Sequence, residues 1–520
     1  MIPERGVRSI PALAQWAART YGDAEAVVDG DTRLSFTDLA ARAHRATRAA
    51  IASGIQPGDR VALWAPNSWE WIVAALGILG AGAWLVPLNT RFKGEEAAYV
   101  LERADARALF TVRGFLDTDF PAMLRATQPS LRCLDAVVLL DGAPSGDMRS
   151  FDDHLTSADA VDPGDATARI ESIDADDVSD VIFTSGTTGR PKGVMLRHGA
   201  SLVAFDRWAR RFGLRAGDRY VVVNPFFHCF GYKAGWMACL QQGATALPLA
   251  VLDVDHLVEL ITRERVSALP GPPTMFVSLL DAHAASDLSS LRIGFVGAAT
   301  VAPELLRRIR TELPFEALTT GYGLTESTAM VSITRPDDEP EHVAYWNGGY
   351  PIDGVELRIA DDHEILVRGF NVMAGYLDDP AATAAAVDDA GWLHTGDIGA
   401  LSDDGALRIS DRKKDIFISG GFNVSPAEVE NLLLGHPGVA QVAVVGMPDD
   451  RLGEVGAAFV VAREGGTLTA DDLTSWAREH LANYKVPRRV ELTDALPLNA
   501  SGKVVKGVLR EQLTRSERAT

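Results

Sequence analysis

Val181-Ile182-Phe183-Thr184-Ser185-Gly186-Thr187-Thr188-Gly189-Arg190-Pro191-Lys192-Gly193 joins a short apolar run to a loop of glycines and hydroxyl residues. The first part has the character of a buried strand. In the second, Gly186, Gly189 and Gly193 permit close backbone approach. Thr184, Ser185, Thr187 and Thr188 offer hydroxyls and amide N–H groups that can converge on phosphate oxygens. A strand ending in a phosphate cradle is therefore expected. The spacing fits neither G-x-x-x-x-G-K-S/T nor G-x-G-x-x-G, so neither a Walker loop nor a dinucleotide fold is indicated.

Around this loop, helical patterns over 36–52 and 68–80 alternate with short strands at 61–64 and 108–112. Such alternation predicts layered α/β structure with a largely parallel sheet. The run 71–88 has no charged residue and, at about 18 residues, reaches the lower limit for a membrane span. Gly77, Gly80, Gly82 and Pro87 instead divide it into a helix, a turn and a strand at 83–86, which suits a buried α/β unit. Residues 141–175, rich in Asp, Ser, Gly and Ala, read as a surface excursion. Past Asp411 the pattern becomes a compact α+β unit, with helices at 426–434 and 469–481 and strands at 439–446 and 456–462. A boundary at Lys414 follows, between a large N-terminal part (1–413) of layered α/β subdomains and a small C-terminal α+β domain (414–520).

With 520 residues, several subdomains are expected. A 47% hydrophobic content with 23% charged residues is that of a globular protein with ample core. The formal net charge of -20 argues against nucleic acid or an anionic membrane surface as partner. Cys133, Cys229 and Cys239 form neither a C-x-x-C pair nor an even disulfide framework, which suits a reducing compartment. Residues 1–15 lack the apolar core of an export signal, so a cytoplasmic location without a membrane span is expected.

Further segments follow the loop in a fixed order: Pro225-Phe226-Phe227-His228-Cys229-Phe230-Gly231, Gly297-Ala298-Ala299, Gly321-Tyr322-Gly323-Leu324-Thr325-Glu326, Trp392-Leu393-His394-Thr395-Gly396-Asp397, Asp411-Arg412-Lys413-Lys414-Asp415 and Pro497-Leu498-Asn499-Ala500-Ser501-Gly502-Lys503. Together with the phosphate loop this series resembles the adenylate-forming superfamily of acyl-CoA synthetases, peptide-synthetase adenylation domains and beetle luciferases, over essentially the whole chain. The resemblance implies ATP, Mg2+ and coenzyme A, and a mobile C-terminal domain.

Activating a carboxylate means attack on the α-phosphorus of ATP while pyrophosphate leaves, so the protein must position reactants and spread negative charge. By resemblance, Thr184, Ser185, Gly186, Thr187, Thr188 and Gly189 would hold the phosphates, with Lys192 either assisting or solvated. Glu326, after Thr325, would give Mg2+ a hard carboxylate oxygen. Tyr322 and Gly323, with Gly297 and Ala298, would face adenine, and Asp397 and Arg412 the ribose. Lys503 resembles the lysine that bridges carboxylate and α-phosphate oxygens during adenylation. Rotation about Lys414 would then withdraw it and bring Gly420 and Gly421 to a pantetheine tunnel.

For the acid, the candidate contacts are His228, Phe230, Tyr232, Lys233, Trp236 and Gly297. Peptide-synthetase domains place an Asp after the aromatic segment to pair with an ammonium; here Lys233 stands nearby, which disfavours amino acids. No carrier segment follows Lys503, leaving free coenzyme A as acceptor. The runs 226–235, 269–274 and 420–424 resemble an actinobacterial branch of acyl-CoA synthetases used in steroid catabolism, which implies a ring-bearing propanoate, with Lys233 a hydrogen-bond donor to a ring ketone. A packed core and a solvated lysine account for the same residues. A medium or long fatty acid is the alternative substrate, and a silent nucleotide-binding protein the alternative from another class. A homodimer is compatible with all of these.

Overall fold

The computed structural model describes residues 6–127, 134–184, 191–282, 287–297, 301, 303–420, 422–449, 451–463, 468–499 and 504–518. Two nine-stranded sheets carry most of the molecule. In one, the strands Arg60–Trp64, Trp84–Pro87, Ala106–Phe115, Ala136–Asp141 and Val178–Thr184 run parallel. At its edge Lys192–Arg197 and Gly375–Tyr376 add antiparallel strands. In the other, Arg219–Val222, Thr245–Pro248, Ala268–Gly271, Ile293–Val296 and Ala317–Tyr322 form the parallel centre. A four-stranded antiparallel sheet of Val355–Ile359, Glu364–Gly369, Leu393–Leu401 and Leu407–Arg412 follows. A last sheet is built around Val439–Asp449 and Gly453–Ala462. The mixed α/β architecture thus has a large N-terminal body and a smaller C-terminal unit.

Local chemistry accounts for several elements. Ser35 and Asp38 close a reciprocal capping box at the start of helix Phe36–Ala52. That helix packs against Trp69–Gly80, where the glycines of the uncharged run have a packing role. A Cβ on Gly77 would lie 2.5 Å from the Ala46 methyl, and one on Gly80 would lie 2.1 Å from Thr47 Oγ1. The two helices therefore approach more closely than any larger residue would allow. Among the described residues no helix is long and apolar enough to cross a membrane.

The 141–175 segment departs from the surface excursion expected. It contains helices Phe151–Thr156 and Pro163–Glu171, and Phe151, His154, Leu155, Ala166 and Ile170 are buried. Arg45 and Arg48 of the Phe36–Ala52 helix donate to the carbonyls of Leu155 and Val161 at 3.1 and 2.9 Å. Anchoring comes from distant arginines, so local periodicity carried little of it.

Candidate active site

Thr184 ends its strand opposite Lys192, forming the base of a hairpin. Gly193 faces Phe183 across it, and a Cβ there would meet Val181 Cγ1 at 2.8 Å. The edge strand Gly375–Tyr376 lies beside this hairpin, with Leu377 N donating to Gly193 O at 2.7 Å. Tyr376 Oη donates to Glu326 Oε1 at 2.9 Å, and Lys192 Nζ sits 5.0 Å from the centre of the same ring. Burial and the neighbouring Glu326 carboxylate push the Tyr376 phenol up, so it stays a donor. Met373 N donates to Glu326 O at 2.8 Å, holding the backbone of this turn. Gly323 enters it because a Cβ would lie 2.2 Å from Ala329 O. Thr325 is buried and begins the single turn Thr325–Ser327. Glu326 keeps partial exposure, so its carboxylate is not sealed from an incoming ion.

Tyr322 ends the strand Ala317–Tyr322, and its hydroxyl donates to Asp397 Oδ2 at 2.6 Å. Arg412 Nε lies 3.2 Å from Asp397 Oδ1, and the two residues are cross-strand partners. Burial, followed by the Asp397 charge, raises the Tyr322 phenol well above its ordinary range. The carboxylate is thus clamped from two sides. Gly396, at φ 70, turns the chain before it and donates its N–H to Glu364 Oε1 at 2.8 Å.

On the acyl side, His228 Nδ1 accepts from Phe230 N at 3.2 Å and caps the short helix Cys229–Gly231. A Cβ on Gly231 would come within 2.2 Å of Asn224 O and of Pro225 O, so glycine is needed for the chain to double back. Phe230 packs edge-on against Phe295, with centroids 5.4 Å apart. A Cβ on Gly297 would lie 2.5 Å from the Phe295 ring and 3.3 Å from the Phe230 ring. Phe230 and Gly297 are therefore neighbours, and His228 and Phe230 both retain partial exposure.

Three acyl-side expectations are corrected. Tyr232 and Trp236 stack at 5.1 Å inside the core against Trp71, and neither is more than 1% exposed. Lys233 is wholly buried, its ammonium 3.0 Å from Asp180 Oδ1 and donating to Ser201 Oγ at 2.7 Å. With its charge committed to an internal carboxylate, it meets neither a ring ketone nor a substrate ammonium. Periodicity and composition do not show which aromatic and cationic side chains turn inward at a π-helical turn.

At the C-terminal side, Lys414 is exposed. Its neighbour Lys413 pairs with Asp362 at 2.7 Å and Glu364 at 3.3 Å. Asp411 Oδ2 accepts from Ser425 Oγ at 2.7 Å and Ala427 N at 3.1 Å, at the start of helix Pro426–Leu434. Gly420 has φ 59 and donates to Leu452 O at 2.8 Å. Ser185, Gly186, Thr187, Thr188, Gly189, Ala298, Gly421 and Lys503 lie outside the described residues. Sequence reasoning missed Tyr376 and Asp180. The Asn371–Tyr376 stretch carried a weak signal, a glycine next to an aromatic hydroxyl, whereas an Asp inside an apolar strand pattern gave none.

A hairpin at Thr184 and Lys192, the Glu326 carboxylate bonded to the strand beside it, and Asp397 held by Tyr322 and Arg412 surround the motifs that resemble an AMP-binding enzyme. The chain belongs to that family: the AMP-binding enzyme model matches residues 14–377, and the model of its C-terminal domain matches 428–503. Among relatives, it is 49% identical to a 7a-methyl-1,5-dioxo-octahydro-1H-indenyl propanoyl:CoA ligase of Rhodococcus jostii (strain RHA1), covering 96% of this chain and 98% of that one. It is 50% identical to the ligase of the same name from Mycobacterium tuberculosis (strain ATCC 25618 / H37Rv), covering 97% and 99%. The ATP-bound MatB of Rhodopseudomonas palustris superimposes with a TM-score of 0.84 at 28% identity, covering 97% and 99%.

Proposed function

We propose that this AMP-forming acid–thiol ligase takes a ring-bearing propanoate of the methyl-dioxo-octahydroindene type, with ATP, Mg2+ and coenzyme A as co-substrates and cofactor. The observation that carries the choice of acid is the near-full-length identity of about half to two relatives named for that acid. A carboxylate oxygen attacks the α-phosphorus, pyrophosphate leaves, and an acyl-adenylate remains. The coenzyme A thiol then attacks the acyl carbon, and AMP leaves.

The residue roles belong to the same proposal. The hairpin from Thr184 to Lys192, with Ser185, Gly186, Thr187, Thr188 and Gly189, holds the β- and γ-phosphates. Glu326 holds Mg2+, which neutralises phosphate charge when bound. Tyr322, with Gly297, Ala298 and Gly323, borders adenine, and Asp397 with Arg412 takes the ribose hydroxyls. His228, Phe230 and Gly297 line the acyl side. Lys503 bridges carboxylate and α-phosphate during adenylation. Residues 414–520 rotate about Lys414 between the half-reactions, bringing Gly420 and Gly421 to the thiol arm. The protein acts in the cytoplasm, and a homodimer is its proposed assembly.

The test is a panel of acids with ATP, Mg2+ and coenzyme A, measuring AMP, pyrophosphate and thioester. The ring propanoate should have the highest kcat/KM and yield AMP and thioester one to one. A higher kcat/KM for decanoate or palmitate would move the assignment to fatty acids. Release of ADP and phosphate would overturn the adenylate route.

A further inference from the structure

Asp180 and Lys233 form an ion pair from which solvent is fully excluded. Ser179 Oγ donates to Asp180 Oδ2 at 2.6 Å. Ser201 Oγ accepts from Lys233 Nζ at 2.7 Å and donates to Arg197 O at 2.9 Å. The pair thereby ties together three segments: the strand Val178–Thr184 that runs into the phosphate loop, helix His198–Phe212, and the turn Tyr232–Met237 that follows His228 and Phe230. That turn is π-helical and contains Gly235 at φ -84, ψ -111. Such interruptions of a helix are frequent at functional sites.

Stability alone gives little reason for this arrangement. Taking two charges out of water costs much of what their attraction returns, and apolar side chains of similar volume often serve as well or better. What a buried pair adds is direction: one strand position must face one turn position. The surrounding titratable groups register it. Burial, with Lys233 nearby, lowers His198 to about 3, so it stays neutral and accepts from Ile10 N. Burial raises the Cys229 thiol to about 12, while Lys233 lowers it and Asp180 and Glu326 raise it further. Cys229 thus lies within electrostatic reach of both the pair and Glu326. Burial, and after it the Asp180 charge, raises the Tyr232 hydroxyl well above its ordinary value.

We propose that the Asp180–Lys233 pair is a positioning device for adenylation, setting the separation and angle between the strand end at Thr184 and the acyl-side residues His228 and Phe230. Neither side chain touches a substrate. The strand end at Thr184 would present ATP, and the His228–Phe230 segment that leads into the turn would present the acid, so a shift between them misaligns the carboxylate oxygen with the α-phosphorus. Misplacement of about 1 Å costs up to about a hundredfold in such reactions. This rests on the adenylating function proposed above.

The test compares wild type with the double variant Asp180→Asn/Lys233→Met, which removes both charges without leaving one unpaired. Wild-type AMP and pyrophosphate formation is measured first; its absence would refute the adenylating function itself. In the double variant, adenylation kcat should fall about ten- to hundredfold. The KM values for ATP and acid should change less, and conversion of presynthesised acyl-adenylate plus coenzyme A should be retained. A folded double variant with wild-type adenylation kcat, or with both half-reactions lowered equally, would overturn the proposal. If the double variant does not fold, Ser201→Ala decides, since it removes only the hydroxyl that Lys233 meets. A selective loss in adenylation kcat supports positioning, and unchanged kcat overturns it.

Discussion

Tyr376 Oη donates to Glu326 Oε1 at 2.9 Å. Because Tyr376 sits on the strand paired with Lys192–Arg197, this bond fixes the carboxylate relative to the hairpin proposed to hold the phosphates. A carboxylate that ligates a metal is oriented by its own hydrogen bonds, and loss of such a partner typically costs 10–100-fold in metal affinity or activity. Tyr376→Phe should therefore raise the Mg2+ concentration giving half-maximal adenylation by about 10–100-fold. Saturating Mg2+ should restore much of the rate. A titration identical to wild type would remove Tyr376 from this role. Glu326→Gln should be more severe, with loss that saturating Mg2+ does not recover.

The clamp on Asp397 makes a separate prediction on ATP. Tyr322→Phe removes the 2.6 Å bond to Asp397 Oδ2 but leaves Arg412 in place. A hydrogen bond to a charged group contributes about 1.5–3 kcal/mol. The KM for ATP should accordingly rise by about 10–100-fold, with the KM for the acid little changed. Equal changes in both would mean that Tyr322 serves packing rather than the nucleotide.

The parts legible in the chain were those whose chemistry is local. Helix Phe36–Ala52 has its capping residues beside it, and helix Pro426–Leu434 starts at Ser425 and Pro426. Phe183-Thr184 and Lys192-Gly193 face each other across the hairpin because the loop between them carries turn residues. Lys233 failed as an acyl contact for the opposite reason. Its environment is set by Asp180 and Ser201 on other elements, and nothing adjacent to it in sequence announces them. Tyr232 and Trp236 failed likewise, since Trp71, which they pack against, comes from a distant helix.

Buried histidines predict how the fold responds to acid. Burial lowers His198 from 6.5 to about 3 and His154 from 6.5 to about 4. Between those values and 6.5 the unfolded chain binds protons that the folded chain does not, so stability rises with pH across that window and is lost as pH falls through it. The two sites together should cost on the order of a few kcal/mol by pH 4. Urea unfolding from pH 7 to pH 4 measures this. His198→Asn, which keeps an acceptor for Ile10 N, should flatten the slope; an unchanged slope would show that His198 is not its source.

The roles proposed for Lys503 and Lys414 predict opposite losses in the two half-reactions. On the proposed mechanism, the charge of Lys503 would be needed while negative charge builds on the α-phosphate, and should be absent from the site when the thiol attacks. Lys503→Ala should slow adenylation by at least on the order of 10² to 10³, as expected for deleting one preorganised charge-stabilising donor. Conversion of presynthesised acyl-adenylate and coenzyme A to thioester should be much less affected. Lys414→Pro should show the reverse, because a fixed φ hinders rotation yet permits an already closed adenylating arrangement. Rapid-quench measurement of each half-reaction distinguishes them. Equal loss of both half-reactions in both variants would leave the rotating C-terminal domain without support, with Lys503 then acting on structure rather than on charge.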